Sequence, residues 1–215
     1  SIIGYSEALK SGLANTPEKK QRYISAISTQ ADVLLHIVDQ LTIYNKLSGR
    51  KASFPLSKVN LEDLLKSYFD IERDSLLTKH VQVKLNIKKN MIIEANPDEL
   101  KRILTNFFTN SIKYRKLPES YVTISAYRNP DNKEEAILSY HDDGPGVEES
   151  KLQKIFEPFY RTNEARTKTS NGSGLGLAVV AEIVAIHKGR IQAINDNGLL
   201  IKIYLPIVNV KEIIK

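Results

Sequence analysis

A chain of 215 residues with 41% hydrophobic and 26% charged residues suits one large domain, or a small element joined to a domain of ordinary size, and excludes a disordered tail. The absence of cysteine excludes a disulfide framework and cysteine-based zinc or thiol chemistry, and it fits a reducing compartment. The formal net charge of +6 invites a nucleic-acid reading, but the basic residues are scattered, with only doublets at Lys19-Lys20 and Lys88-Lys89; a solvated basic surface and no nucleic-acid partner are expected.

The opening Ser1-Ile2-Ile3-Gly4 reads as a chain entered in mid-element, so a fragment is expected. Residues 17–48 then form one long helical pattern. Thr16 is the capping residue, Pro17 takes the first helical position and Glu18 places an acid in the first turn. Ile24, Ala31, Val38 and Asn45 recur with a heptad period, as do Ile27, Leu34, Leu41 and Ser48, and Gly49 ends the run. One such helix cannot bury its seam alone. Residues 1–10 read as the tail of a partner helix, so residues 1–49 are expected to be a partial helical hairpin. It is expected to form a homodimer through residues 17–48 as a four-helix bundle.

Residues 50–58 read as a polar, Pro-containing linker, and residues 59–210 as a second domain. In the latter the pattern predicts a helix over 60–78 capped by Asn60, a strand over 81–87, and a helix over 97–115 opened by Asn96-Pro97. Strands are predicted over 121–128 and 136–141, a Gly-rich polar stretch over 142–176, a helix over 175–187, and strands over 190–195 and 199–205. The fold class expected is α+β, an α/β sandwich with a mixed sheet and helices on one face.

Four local signals follow one another in this domain. Asn106, Asn110 and Lys113 form one polar stripe on a helix. That stripe is either a solvated face or a set of hard oxygen donors suited to Mg²⁺ with a lysine for phosphate. Asp142-Asp143-Gly144-Pro145-Gly146 closes a strand. It is either an acidic turn or a buried carboxylate that accepts from the amino group of adenine, beside glycines that let backbone approach a flat ring. Phe156-Glu157-Pro158-Phe159-Tyr160-Arg161 would pin a loop. Gly172-Ser173-Gly174-Leu175-Gly176-Leu177 runs into a helix and offers backbone N–H groups to phosphate, but it fits neither the dinucleotide fingerprint nor the P-loop.

In this order and spacing the four resemble the sensor histidine kinase family of two-component systems, within the ATPase group that includes gyrase and Hsp90-type chaperones. LKRILTNFFTNSIKY is similar to its N box, DDGPGV to its G1 box, FEPFYR to its F box and GSGLGLAVV to its G2 box. SIIGYSEAL and the stretch 17–48 resemble the two dimerisation helices, so the resemblance covers nearly the whole chain. It implies ATP and Mg²⁺ as cofactors, with Asn110 on the metal, Asn106 beside it and Lys113 at phosphate. Tyr114 would flank the nucleotide, and Asp142 would bind the adenine amino group with Gly144 and Gly146 making room. The stretch Gly172, Ser173, Gly174, Leu175, Gly176 and Leu177 would hold phosphates and hinge a lid over roughly 148–171, from which Arg161 would reach the phosphates.

The family chemistry is transfer of the γ-phosphoryl of Mg·ATP to a histidine, then to an aspartate of a response regulator receiver domain. The accepting histidine is expected about two helical turns upstream of Ser1, leaving no catalytic residue in this chain. His36, His80, His141 and His187 lack its context; His187 is expected as a favourable cation at a helix end. The implied setting is the cytoplasmic part of a membrane-anchored sensor. Asp143 and Ser173 depart from the family's common Asn and Thr, and Leu199 stands where it often has a polar residue near adenine. A protein-serine kinase of the same ATPase group and a non-catalytic scaffold are the rival readings. The helix-two resemblance counts against the first, and intact Asn110, Asp142 and glycines against the second.

Overall fold

The computed structural model describes residues 2–49, 53–89, 91–162 and 172–208. The chain divides into two compact units, residues 1–45 and 46–215. The first unit holds α1 (Ile2–Lys10) and most of α2 (Pro17–Leu47). Gly12, at φ +75°, turns the chain out of α1. Thr16 caps α2 by accepting the Lys19 N–H at 3.2 Å. Tyr5 and Tyr23 bring the two helices together with ring centroids 5.2 Å apart. Along α2 the heptad residues Ile24, Leu34 and Val38 are each more than half exposed, at 52%, 53% and 56%. The apolar seam lies open.

The second unit is built on a five-stranded sheet. In chain order it comprises β1 (Ser57–Asn60), α3 (Leu61–Thr78), β2 (Val81–Ile87), β3 (Ile92–Ala95), α4 (Pro97–Tyr114), β4 (Ser120–Arg128), β5 (Glu135–Asp142), α5 (Gly176–Ile186), β6 (Arg190–Asn195) and β7 (Leu199–Pro206). The sheet order is β2-β4-β5-β7-β6, with β2 and β4 parallel and every other pair antiparallel. Burial alternates along β4 and β7, so one face of the sheet is covered while the other meets solvent. Phe107 and Phe108 of α4 pack on Tyr140 of β5, and Tyr68 and Phe69 of α3 pack on Phe108. The expected α+β class with a mixed sheet is the class observed, and a helical hairpin precedes it.

Two short elements went unread in the sequence. β1 lies partly within the stretch read as linker, and β1 and β3 form a separate antiparallel pair, Ser57 opposite Ala95 and Asn60 opposite Ile92. Each has four residues, too few for a period to show. The helix starts behave as the sequence suggests: Asn60 accepts the Glu62 N–H at 3.0 Å, and Asn96 accepts those of Asp98 and Glu99 at 3.0 and 3.1 Å.

His187 requires a correction. It is not a solvated cation at a helix end but a buried ring, 3% exposed. Its Nδ1 donates to the Ile183 carbonyl at 2.7 Å, and its Nε2 accepts the Asn96 N–H at 3.0 Å. An imidazolium has no acceptor, so the bond from Asn96 requires the neutral form. Burial lowers its pKa below the ordinary imidazole value, outweighing the Ile183 carbonyl and the Glu99 charge. The ring thereby ties the end of α5 to the cap of α4.

Candidate functional site

The last residue of β5 delivers Asp142 to the covered side of the sheet, where it is 9% exposed. Strand alternation puts His141 on the other face, where its Nε2 donates to the Asp196 carbonyl at 2.6 Å. Both oxygens of Asp142 are held. Oδ1 accepts the Gly144 N–H at 2.9 Å and the Leu199 N–H at 3.3 Å, and Oδ2 accepts the Ser111 hydroxyl at 2.7 Å.

The glycines around Asp142 are there for space. A Cβ on Gly144 would lie 2.7 Å from Oδ1 of Asp142, and one on Gly198 would overlap the Asp142 carbonyl. The 146–147 segment is fastened to β6. Val147 donates its N–H to Oδ1 of Asn195 at 2.9 Å, and Nδ2 of Asn195 donates back to the Val147 carbonyl. A Cβ on Gly146 would meet that same Oδ1 at 2.7 Å.

The polar stripe of α4 passes beside this carboxylate. Asn106 donates its amide to the Arg102 carbonyl at 3.0 Å, and its Oδ1 faces Gly176, where a Cβ would lie 2.8 Å away. Gly176 therefore lets α4 and the start of α5 approach closely. The Asn110 side chain is half-buried and makes no hydrogen bond among the described residues. One turn on, the Lys113 ammonium lies 5.2 Å from the Tyr114 ring centroid and against Gly172, where a Cβ would also lie 3.4 Å from Nε of Arg161. The structure thus brings Lys113, Arg161 and Gly172 to one place.

The turn into α5 is compact. Ser173 Oγ accepts the Leu175 N–H at 3.2 Å, Leu175 is fully buried, and no side chain caps α5. Leu177, in the first turn of α5, is half-buried. Gly174, at φ +72°, accepts the Phe159 N–H on its carbonyl at 3.1 Å, so close that a Cβ would lie 2.8 Å from the Tyr160 carbonyl. The expected lid range begins packed rather than open: 3₁₀ turns at Glu149–Lys151 and Lys154–Phe156 bury Leu152 and Ile155. Residues 163–171 of that range lie outside the described residues.

Three participants went unnamed in the sequence. Ser111 occupies a buried position of α4 among Leu104, Phe107 and Phe108, and a hydroxyl at a core position was its available signal. Tyr140 lies in a mostly buried strand and carries no local signal of its own. Gly198 stands in the turn between β6 and β7, where Asn197 and not Gly198 has positive φ.

No group of histidine, cysteine, aspartate or glutamate among the described residues could hold a metal ion. An ion at Asn110 would therefore draw most of its ligands from phosphate and water, the coordination that Mg²⁺ accepts readily.

Residues 95–209 match the family described as "Histidine kinase-, DNA gyrase B-, and HSP90-like ATPase". The chain is 30% identical over 209 residues to the sensor protein kinase WalK of Staphylococcus aureus (strain MRSA252), covering 96% of this chain and 34% of that protein. It is 28% identical over 209 residues to the signal transduction histidine-protein kinase BaeS of Escherichia coli (strain K12), covering 96% of this chain and 43% of that protein. The chain thus spans about a third to a half of the curated relatives it matches. Among solved structures it matches the Acinetobacter baumannii histidine kinase AdeS with a TM-score of 0.74 at 20% identity, covering 97% of this chain and 94% of that one. It also matches histidine kinase ThkA, solved with the response regulator protein TrrA, with a TM-score of 0.74 at 21% identity, covering 96% of this chain and 57% of that one. At these identities the structural likeness is one of fold.

Proposed function

The chain belongs to the histidine kinase-, DNA gyrase B- and HSP90-like ATPase family, and from that premise we propose that it is the kinase core of a two-component sensor histidine kinase. It binds Mg·ATP in the second unit and serves transfer of the γ-phosphoryl to a histidine of a dimerisation helix, and then to an aspartate of a response regulator. The observation that carries the reading is Asp142, a buried carboxylate with both oxygens held by donors at the end of a central strand. An acceptor-only group in that setting selects a base that presents an amino group.

The remaining roles follow from position. Lys113 and Arg161, gathered at Gly172, supply positive charge for the phosphates. The uncapped N–H groups of α5 add their dipole. Asn110 would hold Mg²⁺, which when bound neutralises phosphate charge. These residues position the nucleotide, which is most of what phosphoryl transfer asks of a protein. The open seam of α2 supports a homodimer through residues 17–48. ThkA was solved with a response regulator, and a receiver domain is the partner proposed for this chain.

Calorimetric titration of ATP into the chain tests the proposal. Asp142→Asn is expected to weaken ATP by at least about tenfold, because it replaces an acceptor by a donor facing the base amino group. Unchanged affinity overturns the assignment.

A further inference from the structure

We propose that Ser111, backed by Tyr140, is a positioning residue that sets the base selectivity of the site. The proposal rests on the reading of Asp142 as the nucleobase residue. Ser111 and Tyr140 are 4% and 2% exposed. Ser111 Oγ stands 2.7 Å from Oδ2 of Asp142 and 2.9 Å from the Tyr140 hydroxyl.

The direction of this chain of hydrogen bonds is determined by counting protons. A carboxylate can only accept, so the one Ser111 proton goes to Asp142. Ser111 must then accept from Tyr140, whose hydroxyl is the donor at the head of the chain. Burial raises the Tyr140 pKa well above the ordinary phenol value, so that proton stays in place across the physiological range. The phenol itself cannot swing away: its ring packs between Phe107 and Phe108, with centroids 5.0 and 5.3 Å distant.

Asp142 is consequently gripped from two sides. Backbone N–H groups of Gly144 and Leu199 engage Oδ1, and the Ser111 hydroxyl engages Oδ2. Three donors occupy three of the roughly four lone-pair directions of a carboxylate. The direction left is open to one more donor, so the site takes a 6-aminopurine and rejects a 6-oxopurine, whose carbonyl would face an acceptor. Without Ser111 the carboxylate would lose its only side-chain restraint among the described residues, and its plane would be free to turn about the Oδ1 contacts.

Calorimetry with ATP and with purine riboside 5′-triphosphate, which carries hydrogen in place of the 6-amino group, separates positioning from packing. Ser111→Ala is expected to weaken ATP about tenfold while leaving the analogue unchanged. Tyr140→Phe, which removes only the oxygen, should act in the same direction by a smaller factor. Ser111→Ala should add nothing in the Asp142→Asn background. Equal weakening of both nucleotides by Ser111→Ala overturns the proposal and makes Ser111 a packing residue. A wild-type chain that binds both nucleotides alike, with Asp142→Asn silent, overturns the Asp142 reading itself.

Discussion

Because the bond from Asn96 to Nε2 of His187 requires a neutral ring, protonation must break the link between α5 and the cap of α4. The folded pKa lies below the unfolded value, so the unfolded chain takes up the proton more readily. The stabilisation is therefore complete above the ordinary imidazole range, near pH 6.5, and is lost as pH falls through the lower folded value. Urea unfolding of the wild type should show stability declining from pH 7.5 towards 5.5, and His187→Gln should flatten that decline at a cost of about 1–3 kcal/mol at pH 7.5. An identical pH dependence in the variant would remove His187 from the account. Asn110 makes a different prediction, since its side chain has no protein partner among the described residues. Asn110→Ala should weaken Mg·ATP far more than Mg-free ATP and leave the thermal midpoint nearly unchanged. Equal losses with and without Mg²⁺ in calorimetry would make it structural. Gly198→Ala should cost binding as well, because the added methyl would displace the end of β5 that carries Asp142.

Elements were legible in the sequence in proportion to their length and to the clarity of their ends. α3 and α4 announced themselves through Asn60 and Asn96 caps and through apolar faces such as Leu100, Ile103, Leu104 and Phe107. The pairs β4–β5 and β6–β7 stood out because polar turns separate runs of alternating or apolar residues. β1 and β3 did not, since SKVN is mostly polar and only Val59 of it is buried. The candidate site divides similarly. Residues that repeat a local pattern, such as Asp142 with its glycines, could be named from the chain alone. Ser111, Tyr140 and Gly198 matter through contacts with residues distant in the sequence, which no local pattern displays. For α2, the exposed Leu34 and Val38 predict association. Leu34→Glu should shift light scattering from dimer to monomer while ATP affinity is retained, because the charge enters the seam and not the second unit. A wild type that is monomeric at high micromolar concentration would contradict the dimer.

At the scale of the whole chain, the histidines bear on self-labelling. His141 is engaged by the Asp196 carbonyl, His187 is buried, and His36 and His80 are exposed outside the acceptor context expected of the family. Incubation of this chain with radioactive ATP should therefore give nucleotide binding without acid-labile label, and label removed by His36→Gln would refute this. The grip on Asp142 also governs how the molecule comes into being. Its donors arrive from Ser111, 31 positions before it, and from Leu199, 57 positions after it. Closing such long loops costs entropy before any contact rewards it, and chains dominated by distant pairings fold slowly. On the proposed reading, a partly folded chain in which β5 is placed but β7 is not cannot hold the base, for it lacks the Leu199 N–H that engages Asp142. During refolding, the signal of a fluorescent nucleotide should therefore appear with the last structural phase and never ahead of it, so that a newly made chain acquires its ligand only once its final hairpin has docked.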